Sequence, residues 1–175
     1  MRLAQAATLF ALTACAVASP VAAGAKAAPP PPGCHAAEFR QFDFWVGDWI
    51  VKDPAGKLAG TNLVTRQYGN CVVQEHWRSA TPAELGSSFS IYDRRSKHWH
   101  QTWVDNAGTL LMMDGGLQGR AMVMRGSLRS RNGQPTIERT TWTPLADGRV
   151  RQVWDYSPDG GHRWIVRFDG FYSRR

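Results

Sequence analysis

The feature that most constrains the fold of this chain is a long series of short segments in which apolar and polar residues alternate. Turn-forming residues separate each segment from the next, and helical spacing is nearly absent beyond Trp49. Alternation with a period of two is typical of antiparallel strands that bury one face. We predict ten strands, near Trp49–Lys52, Leu58–Gln67, Cys71–Ser79, Ser87–Asp93, His98–Asp105, Thr109–Asp114, Ala121–Ser127, Thr136–Trp142, Val150–Tyr156 and Arg163–Tyr172.

The turns between these segments indicate how the strands are connected. Turns at 53–56, 105–108, 131–133, 146–148 and 158–161 supply Asn, Asp or Gly, which tolerate positive φ in tight hairpins. Consecutive strands should therefore be neighbours. An open sheet of this length would leave two unpaired edges, which closure removes. We expect an all-β, ten-stranded antiparallel up-and-down barrel, with a short helical turn within Glu38–Phe44 that caps one end.

The N-terminal segment is expected to lie outside the barrel. Arg2, an apolar run over Leu3–Ala18 and small residues at 23–25 are typical of a cleaved secretory signal, assigned here to residues 1–25. Residues 26–37 include four consecutive prolines and predict a stiff, extended arm, which leaves 38–175 as a single domain. We expect an exported protein, periplasmic or secreted. The alternative is a lipoprotein anchored through Cys15, which follows Leu-Thr-Ala.

Two cysteines remain in the predicted mature chain, Cys34 and Cys71. An even pair is readily bridged in an oxidising compartment, so we predict a disulfide that ties the N-terminal arm to an early strand. Two unrelated thiols are the alternative.

The chain is basic, with 21 Lys and Arg against 14 Asp and Glu and a net charge of +7. The basic residues are scattered, without a run of five or more, and no RNA-binding motif is present. We therefore expect no nucleic-acid partner, and membrane association only if Cys15 is lipidated. We expect a monomer.

Several motifs resemble those of exported bacterial proteins of the DUF1579 type. The likeness rests on Phe-Asp-Phe-Trp-Val-Gly-Asp-Trp at 42–49, Asp-Pro-Ala-Gly-Lys at 53–57, Gln-Glu-His-Trp at 74–77, the segment 92–103 and Asp-Gly-Phe-Tyr at 169–172. That family is similar to calycins, the class of lipocalins and fatty-acid-binding proteins. The resemblance implies a calycin-like barrel without an established activity.

The same resemblance implies how the barrel is closed. In lipocalins a first-strand Gly-x-Trp motif closes the base beneath an arginine of the last strand. Gly47-x-Trp49 would have this role here, with Gly47 allowing a tight turn. The arginine would be one of Arg167, Arg174 and Arg175, and the capping residues would be Phe42, Phe44 and Trp45.

A Glu-or-Gln-x-Trp unit occurs on three of the predicted strands, at 75–77, 101–103 and 152–154. Residues two apart share a face of a strand, so inward-facing units would line the barrel with indoles and polar groups. Buried carboxamides need hydrogen-bond partners, which favours a network, water or a ligand. We therefore expect the protein to bind a small apolar or amphipathic ligand. The predicted ligand-binding residues are Glu75, Trp77, Trp99, Gln101, Trp103, Arg139, Gln152, Trp154 and Trp164.

A filled core is the alternative to an open cavity. Eight tryptophans could fill the barrel and leave a solid core, as expected of a structural or envelope-interaction role. Met112, Met122 and Met124 could line a pocket or serve as core or outer-face filler.

Cofactor and enzyme signals are weak. His98 and His100 share a face, and His76 lies about 9 to 10 Å away across the predicted sheet, too far for one ion. The last two predicted strands carry no histidine for haem, so we expect no metal and no cofactor. The sequence contains no Gly-x-Ser-x-Gly elbow with a Ser-His-Asp order, no phosphate-binding glycine loop and no His-Glu-x-x-His zinc motif. The enzymatic alternative is a small-molecule isomerase or lyase with Glu75, near Arg139 or Gln152, as its base.

Overall fold

The structure, a computed structural model, describes residues 33–81, 84–130 and 132–175 of the 175-residue chain. The predicted signal peptide, Cys15, residues 26–32 of the predicted arm and Arg131 of one predicted turn lie outside the described residues. None of the helices in the described ranges has the length and apolar character needed to cross a membrane.

Ten antiparallel strands form a closed barrel, which confirms the predicted fold. Each strand pairs with its neighbours in sequence, and β1 pairs with β10 to close the barrel, with Trp49 opposite Arg174. The elements are helix α1 (Ala37–Arg40), a 3₁₀ turn (Asp43–Trp45), β1 (Gly47–Lys52), β2 (Leu58–Gln67), β3 (Val72–Ser79), β4 (Leu85–Asp93), β5 (His98–Asp105), β6 (Leu110–Gln118), β7 (Ala121–Arg129), β8 (Pro135–Pro144), β9 (Val150–Ser157) and β10 (Ile165–Arg174).

Strand β6 extends further than predicted, through Gly115 and Gly116, two residues of a type that is common in turns. The predicted strand ended at Asp114, whereas β6 continues to Gln118. Gly115 pairs with Trp99 on one side and with Met124 on the other. A Cβ at Gly115 would lie 2.0 Å from the carbonyl oxygen of Val123, so glycine permits a backbone approach that a side chain would block.

The N-terminal helical segment fills one end of the barrel. Phe42 and Trp45 are fully buried, and their rings stack at 4.8 Å. Phe42 also meets the rings of Trp99 and Trp142 edge-on. Phe44 is only partly buried beside this core. The predicted cap is therefore present, and Phe42 and Trp45 provide its buried part.

The Cys34–Cys71 disulfide is present and joins the segment before α1 to the start of β3. The backbone N–H of Cys34 also donates to the carbonyl oxygen of Gly69 at 2.9 Å. The bridge therefore holds the N-terminal cap against the hairpin between β2 and β3, as predicted.

Trp49 lies at the base of the barrel beneath Arg174. Its indole N–H donates to the carbonyl oxygen of Trp45 at 2.9 Å, and the Arg174 guanidinium lies 4.6 Å from the ring centre. Of the three candidate arginines, Arg174 has this position. Gly47 is the first residue of β1 and does not form a tight turn, contrary to expectation. A Cβ there would lie 2.7 Å from the Arg174 guanidinium, so Gly47 makes room for that arginine.

Candidate functional site

The barrel half opposite the N-terminal cap contains a cavity of about 350 Å³. Six of the nine predicted ligand-binding residues line it: Glu75, Trp77, Gln101, Trp103, Gln152 and Trp154. Its rim is formed by the β1–β2 and β3–β4 hairpins, which contribute Asp53, Lys57, Ser79, Thr81 and Glu84. The capped half is filled with aromatic residues and this half is open. The two alternatives for the interior are therefore each correct for one half of the barrel.

Aromatic rings form one wall of the cavity. Trp77 is 9% exposed and meets the ring of Phe168 edge-on at 5.7 Å. Trp103 is partly buried, and its indole N–H donates to Asp105 Oδ2 at 3.2 Å. A Cβ at Gly86 would lie 2.2 Å from the Trp103 ring, so that glycine lets the ring lie flat against the neighbouring strand. This wall offers an apolar surface to a flat or flexible ligand.

Glu75 is the buried acid of the cavity. Its Oε1 accepts a hydrogen bond from Asn62 Nδ2, and its Oε2 accepts one from the Ser88 hydroxyl, both at 2.7 Å. Burial raises the pKa of Glu75 to about 7, while the hydrogen bonds from Ser88 and Asn62 oppose that rise. The register explains the contacts, since Asn62 and Ser88 lie on the strands that flank β3. Glu75 is therefore a carboxyl group that titrates near neutral pH.

Two further polar pairs lie on the cavity wall. The Tyr172 hydroxyl donates to Gln152 Oε1 at 2.5 Å, and Gln101 Nε2 donates to the Ser90 hydroxyl at 2.9 Å. Burial, with a smaller contribution from the charge of Glu75, raises the pKa of Tyr172 well above its usual value. Tyr172 therefore remains a neutral hydrogen-bonding group near the acid. These hydrogen bonds hold the side-chain amides of Gln101 and Gln152 in defined orientations on the cavity wall.

Arg167 is a cavity residue that the alternation of the sequence did not reveal. A β-bulge between Val166 and Phe168 leaves Arg167 without a partner on β9 and turns its side chain inward. Its Nε lies 3.2 Å from Glu138 Oε2, and Glu138 is fully buried. The Trp154 indole also donates to Glu138, at 2.7 Å. The buried carboxylate of Glu138 therefore offsets the positive charge of Arg167 at the cavity wall.

Two predicted ligand-binding residues, Arg139 and Trp164, lie outside the cavity. Arg139 stands between Glu138 and Thr140, which are buried in the interior, so its own side chain lies on the outer face. There it forms a bidentate pair with Asp155 and lies 3.8 Å over the Trp164 ring. The predicted approach of Arg139 to Glu75 is therefore wrong. The bulge before Phe168 interrupts the alternation of β10, so Trp164 and Phe168, four residues apart, do not share a face.

Trp99 belongs to the capped core and does not line the cavity. It is fully buried, and its indole N–H donates to Gln41 Oε1 at 3.0 Å. Trp99 and Trp103 share a face, but four residues of strand separate them by about 13 Å. The inward face of β5 therefore contributes Trp99 to the capped core and Trp103 to the cavity.

The methionines divide between core, cavity and surface. Met122 and Met124 are fully buried in the core, whereas Met112 is 56% exposed on the outer face. The cavity is lined by Met113, which the sequence did not single out. Leu111, Phe168 and Tyr172 are further lining residues that were not predicted.

Within residues 33–81, 84–130 and 132–175, no group of three or more His, Cys, Asp or Glu side chains could hold a metal ion. His76 and His98 are exposed on the outer face, and His100 pairs with Asp114 at 2.8 Å. The polar side chains that line the cavity carry carboxyl, amide, hydroxyl, phenol, ammonium and guanidinium groups.

Comparison with known proteins found no protein-family model that matches the chain and no curated protein that is similar to it. The resemblance to proteins of the DUF1579 type therefore stays a prediction from the motifs.

Proposed function

We propose that this protein binds a small apolar or amphipathic molecule in the cavity between Trp77, Trp103 and Glu75. The observation that supports this most is the cavity itself, about 350 Å³ in a barrel whose other half is filled. Ligand pockets are typically about 300 to 1,000 Å³, apolar or aromatic, with a few placed polar groups. The volume is near the lower limit of this range, which favours a small ligand.

The polar groups of the cavity support an amphipathic ligand over a purely apolar one. Glu75, Gln101 and Gln152 line the cavity, and each forms a hydrogen bond with another side chain of the protein. A hydrocarbon alone would cover these groups without replacing their hydrogen bonds to water, which costs free energy. A ligand with one hydrogen-bonding group would avoid that cost.

We further propose that the protein acts outside the cytoplasm. The Cys34–Cys71 disulfide supports this location, because disulfides persist mainly in oxidising compartments.

The binding proposal is tested by tryptophan fluorescence during a screen of small amphiphiles. A ligand that enters the cavity should shift the emission, and Trp103→Phe should remove a large part of the change. Trp164→Phe is the matched control, because Trp164 lies on the outer face and should leave the ligand response intact. Absence of any fluorescence or thermal shift across the screen would refute the proposal.

A second candidate function is supported by the position and pKa of Glu75. A general base is most effective when its pKa is near the working pH, and the pKa of Glu75 is about 7. Such a base on a cavity wall could serve an isomerase or lyase. If a bound compound is converted, Glu75→Gln should lower the turnover rate by about 10²-fold or more. Unchanged turnover would exclude this role.

A further inference from the structure

The charged residues of the cavity carry a net negative charge, although the whole chain is basic. Its walls include three carboxyl groups, Asp53, Glu75 and Glu84, and two cationic groups, Lys57 and Arg167. Arg167 is already paired with Glu138, which is fully buried. Lys57 alone therefore opposes three acids, whereas the chain has a net charge of +7. This arrangement attracts a cation into the cavity and disfavours an anion.

Glu75 has no cationic partner among the ion pairs of the described ranges. Its only hydrogen-bond donors there are the neutral groups of Asn62 and Ser88, one on each oxygen. A carboxylate oxygen can accept about two hydrogen bonds, so each retains acceptor capacity. Buried carboxylates are normally paired with a cation. The unoccupied capacity of Glu75 is therefore suited to a ligand ammonium group.

The aromatic wall adds a second attraction for the same kind of ligand. Trp77, Trp103 and Phe168 line the cavity together with Glu75. Indole and phenyl faces attract cations, and this attraction is stronger where water is excluded. A carboxylate combined with aromatic faces is thus complementary to an amine carried on an apolar body.

We propose that the ligand is an organic cation whose ammonium group binds Glu75 and whose apolar body lies against Trp77 and Trp103. This inference depends on the proposed binding function and assigns its ligand class. The other titratable or charged groups that face the cavity are Asp53, Lys57, Glu84, Arg167 and Tyr172.

The test compares three probes with the same alkyl chain, octylamine, 1-octanol and octanoate, by isothermal titration calorimetry at pH 8. At this pH Glu75 is ionised, since its pKa is about 7. Octylamine should bind about tenfold or more tightly than octanol, as expected of a charge-assisted hydrogen bond, and octanoate should bind most weakly. Glu75→Gln should remove the preference for the amine and retain octanol binding.

The matched control is Asp114→Asn. Asp114 is 71% exposed on the outer face, so this variant makes the same change in net charge outside the cavity and should keep the preference for octylamine. Equal affinities for octylamine and octanol, or tightest binding of octanoate, would overturn the ligand class and leave the binding function standing. Failure of all three probes to bind would overturn both. If Asp114→Asn removes the preference for octylamine as fully as Glu75→Gln does, the preference comes from the overall charge of the protein. That result would overturn the role of Glu75.

Discussion

Replacing Glu75 with glutamine should change how the stability of the protein depends on pH. The pKa of Glu75 rises from 4.5 to about 7 on folding, mainly because the group is buried. A carboxyl with a raised pKa contributes stability that is fully present below the unfolded value and is lost as the pH rises through the folded value. At about 1.4 kcal/mol for each pH unit, the loss in wild type is about 3 kcal/mol between pH 4.5 and pH 8.

Glutamine imitates the neutral acid and cannot ionise. Its carbonyl can accept from Asn62 and its amide can donate to the Ser88 hydroxyl, so both contacts of Glu75 have an equivalent. The variant should therefore gain about 3 kcal/mol relative to wild type as the pH rises from 4.5 to 8.

Urea unfolding of both proteins at intervals across this range, followed by tryptophan fluorescence, gives the difference in unfolding free energy at each pH. Other titrating groups contribute to both proteins and cancel in the difference. Parallel stability curves for wild type and Glu75→Gln would refute the assignment of Glu75 as a buried, unpaired acid.

Three further outcomes are expected. Gly86→Ala should displace the Trp103 ring, because the added Cβ would lie 2.2 Å from it, and should therefore weaken the binding of a cavity ligand in a titration. Gly116→Ala is the control, because no atom lies within 4 Å of its Cβ, and it should leave ligand binding unchanged. Reduction of the disulfide should lower the unfolding free energy by about 3 to 4 kcal/mol, since it closes a loop of 37 residues; a change below about 1 kcal/mol in urea unfolding would contradict this. Phe42→Ala should cost about 3 to 5 kcal/mol by the same measurement, because Phe42 is fully buried in the cap, and a neutral effect would show that the cap does not stabilise the barrel.

The barrel could be predicted from the sequence because several independent features of the sequence favour the same fold. Period-two alternation, hairpin turns and the aromatic segment at 42–49 all favour one closed antiparallel sheet. Nine of the ten strands begin and end within two residues of their predicted bounds. The exception, β6, contains a glycine whose role is close approach to β7, which a local pattern cannot distinguish from a turn.

The residues that line the cavity could be predicted where alternation continues without interruption. Glu75 and Trp77, Gln101 and Trp103, and the pair at 152–154 all lie on regular strands and face the cavity. Alternation failed at β10, where a bulge turns Arg167 inward and leaves Trp164 outside. Bulges depend on pairing between strands and have no reliable local signal.

Position along a strand is the other property that alternation does not provide. Trp99 shares the inward face of Trp103 but lies within the capped end, in contact with Phe42. Which end of the barrel the N-terminal segment fills depends on the tertiary structure. The division into a filled half and an open half could therefore be found only in the folded chain.

The most direct test of ligand binding in the cavity is a crystal structure of the protein with octylamine at pH 8. The predicted result is an amine nitrogen about 2.7 to 2.9 Å from a Glu75 carboxylate oxygen, with the alkyl chain against Trp77 and Trp103. An empty cavity at saturating octylamine, or the amine bound only on the outer face, would contradict the account.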